Sequence, residues 1–501
     1  MTAELRDQLL GREVHSNLPA RLDRLPWSGW HWRCILALGI SWILDGLEVT
    51  SISLIGTLLQ KNWDLSDTEV GLCGSMYVCG AVAGSLFFGY LADKLGRKKL
   101  FVLIPCVYLT SSLLTALSIN YPMMLVCLLV TGFGIGGEYS AMNSAINELV
   151  PSGVRGIVDI AVNGSYWLGA ALGGAITYMF ITLVHSDESW RLVWLLGSAF
   201  AVLIIWLRST LPESPRWLIN KGREDEAEAI VTDIEAKVAA DLAAKGRHFD
   251  PTEDVESLTI LHIELGKSMS MGEVTKVLWG QYRSRALLCL VLMLSQAYLF
   301  NAIFFNLSQT YVRYYGVDAS DTPLLIIPFA CGNFLGSFIL GRTFDTLGRK
   351  KAIFIMYSAS ALLLTLDGIL FECSLMSTVT QTIAFSCVFF VASPAASSGY
   401  LTIAEVFPIE FRSMAIALFY SLGTGFGGIT GPLIFGSILD TNNRTYMFYG
   451  YLSASILMMV AAVTELKIGV DAENKSLEEI APPLKGAAKP SERDHLGSEA
   501  I

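Results

Sequence analysis

Twelve long apolar runs decide what this chain can become. They fall at roughly 33–59, 71–92, 100–119, 122–148, 156–184 and 191–209, then at roughly 286–312, 322–342, 352–371, 378–404, 413–439 and 445–466. Each is close to the ~20 residues a helix needs to cross a bilayer. Lipid offers the backbone no hydrogen-bond partner, so runs of this kind must close their own bonds as helices. Charged residues are 16% of the 501, against about 25% in a soluble protein. With a mean hydropathy of +0.51, no set of soluble domains could coat itself. A net charge of −10 excludes nucleic-acid binding as a main role. The fold class is therefore an all-α membrane protein with twelve transmembrane helices.

Residues 1–31 are polar and the first run has no small-residue cleavage site, so no signal peptide is expected. The nine cysteines are scattered without C-x-x-C spacing, which predicts neither a metal site nor a disulfide framework. No Walker loop is present, so ATP-driven pumping is not expected, and the chain calls for no cofactor. Basic residues set the orientation. If the N-terminus is cytoplasmic, the outer loops carry only Lys61, Arg191, Arg313 and Arg444 of the 35 Lys and Arg. The positive-inside rule then puts both termini in the cytoplasm.

Two motifs repeat in the same order. Gly89-Tyr-Leu-Ala-Asp93-Lys-Leu-Gly96-Arg97-Lys98-Lys99 recurs as Gly341-Arg-Thr-Phe-Asp345-Thr-Leu-Gly348-Arg349-Lys350-Lys351. Glu148-Leu-Val-Pro151-Ser-Gly-Val-Arg155 recurs as Glu405-Val-Phe-Pro408-Ile-Glu-Phe-Arg412. The chain thus reads as two homologous halves of six helices, with a site expected near the midplane between them. The expected divisions are an N-terminal segment 1–32, a first half 33–209, a central cytoplasmic loop 210–285 with surface helices, a second half 286–466 and a tail 467–501.

The doubled G-x-x-x-D-x-x-G-R-[RK]-[RK] loop resembles that of the major facilitator superfamily. Pro212-Glu213-Ser214-Pro215-Arg216-Trp217 after the sixth run, and Ala472-Glu-Asn-Lys475-Ser476-Leu477-Glu478-Glu479-Ile480 after the twelfth, resemble its sugar-porter and metabolite:proton symporter branch. The resemblance spans about residues 30 to 482. It implies a secondary transporter of a small polar solute working by alternating access with a proton, in the plasma membrane, or the inner membrane of a Gram-negative cell. The lipid bilayer, a small-molecule solute and protons are its expected partners; nothing in the motifs points to an oligomeric state. Asp93, Arg97, Lys98, Glu148, Arg155, Glu213, Arg216, Asp345, Arg349, Glu405 and Arg412 are then the expected cytoplasmic gate, with Gly89, Gly96, Gly341 and Gly348 allowing tight turns.

Acids buried in lipid are costly and mark sites. Asp45 and Glu48 sit mid-run at i and i+3, on one helix face. Glu138 directly follows Gly132-Phe-Gly134-Ile-Gly136-Gly137. These three are the candidate proton and solute groups, whereas Asp159 and Asp367, nearer the edges, are read as packing. Proton-coupled relatives pair the first-span acid with an Arg in the fourth span; that position here is Leu128, which favours a facilitative uniporter as the competing reading. The resemblance also places Asn163, Gln296, Asn301 and Tyr400 where sugar porters bind their solute. A receptor or an enzyme fits less well, since the tail is short and no nucleophile–base cluster appears. With no cation seen mid-membrane beside the acids, a neutral polyhydroxy solute is expected first, an organic amine second and an organic acid third.

Overall fold

The computed structural model describes residues 13–151, 155–184, 188–253, 261–264, 271–408, 411–472 and 480–481. Twelve described helices are long and apolar enough to cross a membrane. In the first half they are α1 (Gly29–Trp63), α2 (Asp67–Leu95), α3 (Arg97–Ala116), α4 (Tyr121–Leu149), α5 (Arg155–Val184) and α6 (Trp190–Ser209). In the second half they are α7 (Arg283–Phe305), α8 (Thr322–Leu340), α9 (Arg349–Glu372), α10 (Thr378–Val406), α11 (Met414–Asp440) and α12 (Arg444–Ile468). Successive helices reverse direction, so the starts of α1, α3, α5, α7, α9 and α11 share one end of the bundle with the last residues of α12. That end is called the terminal end here, and the other the far end.

The glycine run of the fourth helix has a packing cause. A Cβ at Gly132 or Gly136 would strike the carbonyls of Tyr77 or Ala81 on α2. A Cβ at Gly80 or Gly84 on α2 would strike those of Leu129 or Phe133 in return. Small residues on both faces let the two backbones touch, which is the attraction available to helices in lipid. The halves meet along α2 and α11, which run antiparallel, and along α5 and α8. Three side chains mark the first seam from far to terminal end: Thr68 bonds to Asp440, Ser75 donates to the Ile429 carbonyl (2.7 Å), and Ser85 pairs with Ser421 (2.9 Å).

Two irregularities interrupt the expected helices. The run expected at 286–312 breaks at Asn306, whose amide turns back to the carbonyls of Ala302 (2.9 Å) and Pro432 (3.2 Å), and a separate short helix Leu307–Tyr315 follows. In α11, Thr424–Gly428 is a π-turn among the glycines that face α7. Outside the bundle, a helix Glu224–Ala243 lies in the stretch between the halves. The small helix Leu18–Asp23 is tied to it by Arg21, which donates to Glu235 (2.5 and 3.1 Å) and Glu228. The Glu235 carboxylate holds the Arg21 guanidinium above its ordinary range. Strands Glu13–Ser16 and Leu261–Glu264 pair antiparallel beside it.

Candidate functional site

Asp45 lies 16 residues into α1, about 24 Å along a 1.5 Å-per-residue helix and so near its middle. Its carboxylate is buried and accepts a hydrogen bond from Tyr77 Oη of α2 (3.1 Å). Tyr166 of α5, and Tyr400 and Tyr420 of the second half, lie within electrostatic range of the same carboxylate. Asp45 therefore faces the seam, where groups of both halves feel its charge.

Glu48 shares the helix face but not the surroundings. It points into the first half, accepts from Ser112 Oγ of α3 (3.2 Å), and crowds Gly197 of α6 so closely that any Cβ there would collide with it. Its Oε2 has no hydrogen-bond partner.

Glu138 corrects the expectation of acids without a cation. Its two oxygens receive Nη1 and Nη2 of Arg208 at 2.9 and 3.1 Å. The same guanidinium donates to Ser41 Oγ and touches Met142 Sδ (2.8 Å). Arg208 is 1% exposed. It belongs to the last turn of α6, where a basic residue reads as a topology marker. Its long side chain instead turns back into the bundle. Leu128, at the fourth-span position that the resemblance reserves for an arginine, is fully buried among apolar side chains. The cation that is missing from the fourth helix is present on the sixth.

Between these groups lie two narrow clefts, with about 150 and 250 Å³ of empty space. Asp45, Ser41 and Glu138 line both. Trp42 and Met142 complete the first; Tyr108, Pro105, Ala201 and Ile204 are among the walls of the second.

The amides expected to hold the solute are engaged on their own helix. Asn301 Nδ2 donates to the Ala297 carbonyl (2.8 Å) and Gln296 Nε2 approaches Met293 Sδ (3.7 Å). Asn163 is half-buried on α5. Tyr400 lies 6.2 Å from Tyr420, ring to ring. Trp167 packs into an aromatic cluster with Phe300 at 5.7 Å and Phe304 at 5.9 Å, so it is a seam residue that links α5 to α7. Asp367 fits the packing reading: Gln381 donates to both of its oxygens (2.9 and 3.0 Å).

At the terminal end the two repeated loops are built alike. Gly96 and Gly348 have φ of +86° and +88°, a conformation that only glycine adopts without strain, and each immediately precedes the next helix. At Gly96 a Cβ would also collide with Glu213. Glu213 caps the start of α3, accepting from the backbone N–H of Arg97 (2.8 Å) and Lys98 (3.2 Å), while Arg97 Nη1 donates to Ser214 Oγ (3.2 Å). In the second half Arg349 pairs with Glu405 (3.2 Å), which joins its two motifs to each other, and Arg412 donates to the Phe407 carbonyl (3.1 Å). Gly89 lies in the last third of α2, and Gly341 directly follows α8. The side chains of Asp93, Glu148, Arg155, Asp159, Arg216 and Asp345 lie outside the described residues, as do positions 473–479 of the last motif.

At the far end the charges cross the seam. Asp440 accepts from the backbone N–H of Asp67 (2.8 Å) and Thr68 (3.0 Å), the free donors that open α2. Arg313 reaches the Asp67 carboxylate (Nε at 3.1 Å), which holds its guanidinium above the ordinary range.

A bundle of twice six helices, with a buried acid facing the seam, is the architecture of a secondary transporter. Residues 33–482 match the sugar (and other) transporter family, and the chain belongs to it. It is a membrane transporter of small solutes, not an enzyme. The niacin transporter NiaP of Acinetobacter baylyi is 24% identical over 474 residues, covering 93% of this chain and 99% of that protein. The arabinose-proton symporter of Bacillus subtilis is 26% identical over 457 residues, covering 89% and 93%. The crystal structure of a D-xylose-proton symporter superposes with a TM-score of 0.66 at 18% identity, covering 89% of this chain and all of that one.

Proposed function

We propose that this transporter is a proton-coupled symporter, set in the plasma membrane with both termini cytoplasmic. Asp45 is the group whose proton drives the cycle. The observation that carries this reading is its position: a buried carboxyl at mid-depth, bonded to Tyr77 of its own half and in range of Tyr400 and Tyr420 of the other. Such a group senses the approach of the two halves, which is what coupling a proton to alternating access requires. The relatives named as proton symporters of arabinose and xylose support it. The repeated loops with Glu213, Arg349 and Glu405 brace the cytoplasmic gate. Asn163, Tyr400 and the free faces of Gln296 and Asn301 line the solute path.

Among the described groups, Asp45, Glu48, Glu138 and Arg208 carry three acids against one cation, and that cation is bonded to Glu138. This balance favours a neutral polyhydroxy solute first and an amine second over a carboxylate, which would need a free cation. Leu128 keeps the uniporter as the second reading. Uptake into proteoliposomes of a labelled panel (L-arabinose, D-xylose, nicotinate and an organic amine), with and without an imposed pH gradient, tests both. Accumulation only with the gradient supports symport; uptake indifferent to it establishes the uniporter.

A further inference from the structure

We infer that protons reach Asp45 through a water-filled cleft inside the first half, separate from the solute path between the halves, with the Glu138–Arg208 pair at its terminal end. The inference rests on the symport reading above and assigns the route that the reading leaves open.

Three observations carry it. The first is shape. The two clefts bordered by Asp45 and Glu138 are walled by α1, α3, α4 and α6 alone. Each is narrow, with room for about one water rather than for a solute. A single water in each cleft, beside Ser41, Asp45 and Glu138, is enough to bridge the two carboxyls where a solute could not enter.

The second observation is unmet hydrogen bonding. Tyr108 Oη, on the wall of the larger cleft, and Arg208 Nε are buried without a protein partner. An unbonded buried donor costs about 1–3 kcal/mol, and in a native protein such a group usually marks a bound water.

The third is the contrast across the ion pair. The Arg208 side chain is 1% exposed, whereas that of Glu138 keeps 14%. Of the pair, Glu138 is thus the member that keeps surface accessible to water at the cleft.

The groups that face Asp45 are Tyr77 of α2, Tyr166 of α5, and Tyr400 and Tyr420 from the second half. On the cleft side the titratable groups are Tyr108 and Glu138, and Glu48 sits one turn along α1. None of the tyrosines is charged at neutral pH, which leaves the carboxyls to carry the proton. The transfer balances simply. The Asp45 carboxyl releases one H⁺ to a water beside Ser41 and becomes a carboxylate. The water passes one H⁺ to a Glu138 oxygen, and Glu138 releases one to the solvent. Arg208 keeps Glu138 aimed along the route and acts as a positioning residue, with no proton of its own moved.

The probe for the test is the proton itself. Infrared difference spectra of the reconstituted protein after a pH jump follow the carboxylic C=O band, and Asp45→Asn identifies the Asp45 contribution. Ala201→Leu fills the larger cleft with three added carbons and should slow equilibration of that band about tenfold or more. Tyr108→Phe should slow it by a smaller factor, since it removes one hydroxyl and leaves the volume. Leu203→Phe, on the lipid-exposed face of α6, should leave the rate unchanged. Should Ala201→Leu fail to fold, Ile204→Phe blocks the same wall. An Asp45 band that titrates as fast in the filled variants as in the unaltered protein overturns the separate route and leaves symport standing. An unaltered protein in which no band is lost with Asp45→Asn overturns the coupling reading and the route with it.

Discussion

At the far end the two halves are joined by charge, through Asp440 on the start of α2 and Arg313 on Asp67. The charged bonds described at the terminal end tie each half to itself: Glu213 to the start of α3, Arg349 to Glu405, Arg208 to Glu138. Among the described residues, the side-chain bond across the α2–α11 seam nearest the terminal end is a pair of neutral hydroxyls, Ser85 and Ser421. Bonds within a half hold a rigid body together through every stage of transport. Bonds across the seam must break and re-form in each cycle, so they set the balance between conformations rather than the stability of the fold.

Substitutions at the two ends should therefore fail in different ways. The largest loss is expected for Arg208→Gln, which empties a buried guanidinium site and strands the half-buried Glu138 carboxylate. About 3–5 kcal/mol of stability should go, seen as a lowered Tm in detergent, and Arg208→Gln with Glu138→Gln should recover part of it. Arg349→Gln should cost less, about 1–3 kcal/mol, again as lowered Tm with little change in the spacing of the halves. Asp440→Asn should do the reverse. It removes an anion worth about 1 kcal/mol at a helix start, so the far end should open about fivefold more often at nearly unchanged Tm. Distances between spin labels on the far-end loops would measure this. Ser85→Ala, which loosens the terminal end instead, should shift the balance of conformations least, by about 0.5 kcal/mol or roughly twofold, toward a closed far end. A Tm loss for Asp440→Asn as large as that for Arg349→Gln would erase the distinction between the two ends.

Much of this was legible in the sequence because its causes are local. Twelve apolar runs, a doubled loop and a glycine ladder each follow from the chemistry of consecutive residues. Gly96 and Gly348 announce their turns, and Asp45 stands out because an acid at mid-span is too costly to be incidental. Arg208 did not stand out. An arginine in the last turn of a span is indistinguishable, by position, from one that only marks a cytoplasmic loop. Its direction depends on Glu138, 70 residues away. Glu213 was seen as part of a motif, but its task as the cap of α3 depends on a fold contact 116 residues back. The amides Gln296 and Asn301 are read as solute groups by resemblance alone; the structure adds that each also has a partner on its own helix, Met293 Sδ and the Ala297 carbonyl.

The far-end bond also has an evolutionary side. Besides the Thr68 hydroxyl, Asp440 grips two main-chain N–H groups, which every residue except proline provides. The main-chain part of the contact thus survives a change at 67 or 68, so long as a helix still begins there, while the Thr68 hydroxyl bond and the Arg313 pair with Asp67 go with their side chains. Position 440 has no such freedom, because the acceptor resides in one carboxylate. The interface is lopsided in its tolerance: one partner is inherited with the fold, and the other must be kept by selection at a single codon.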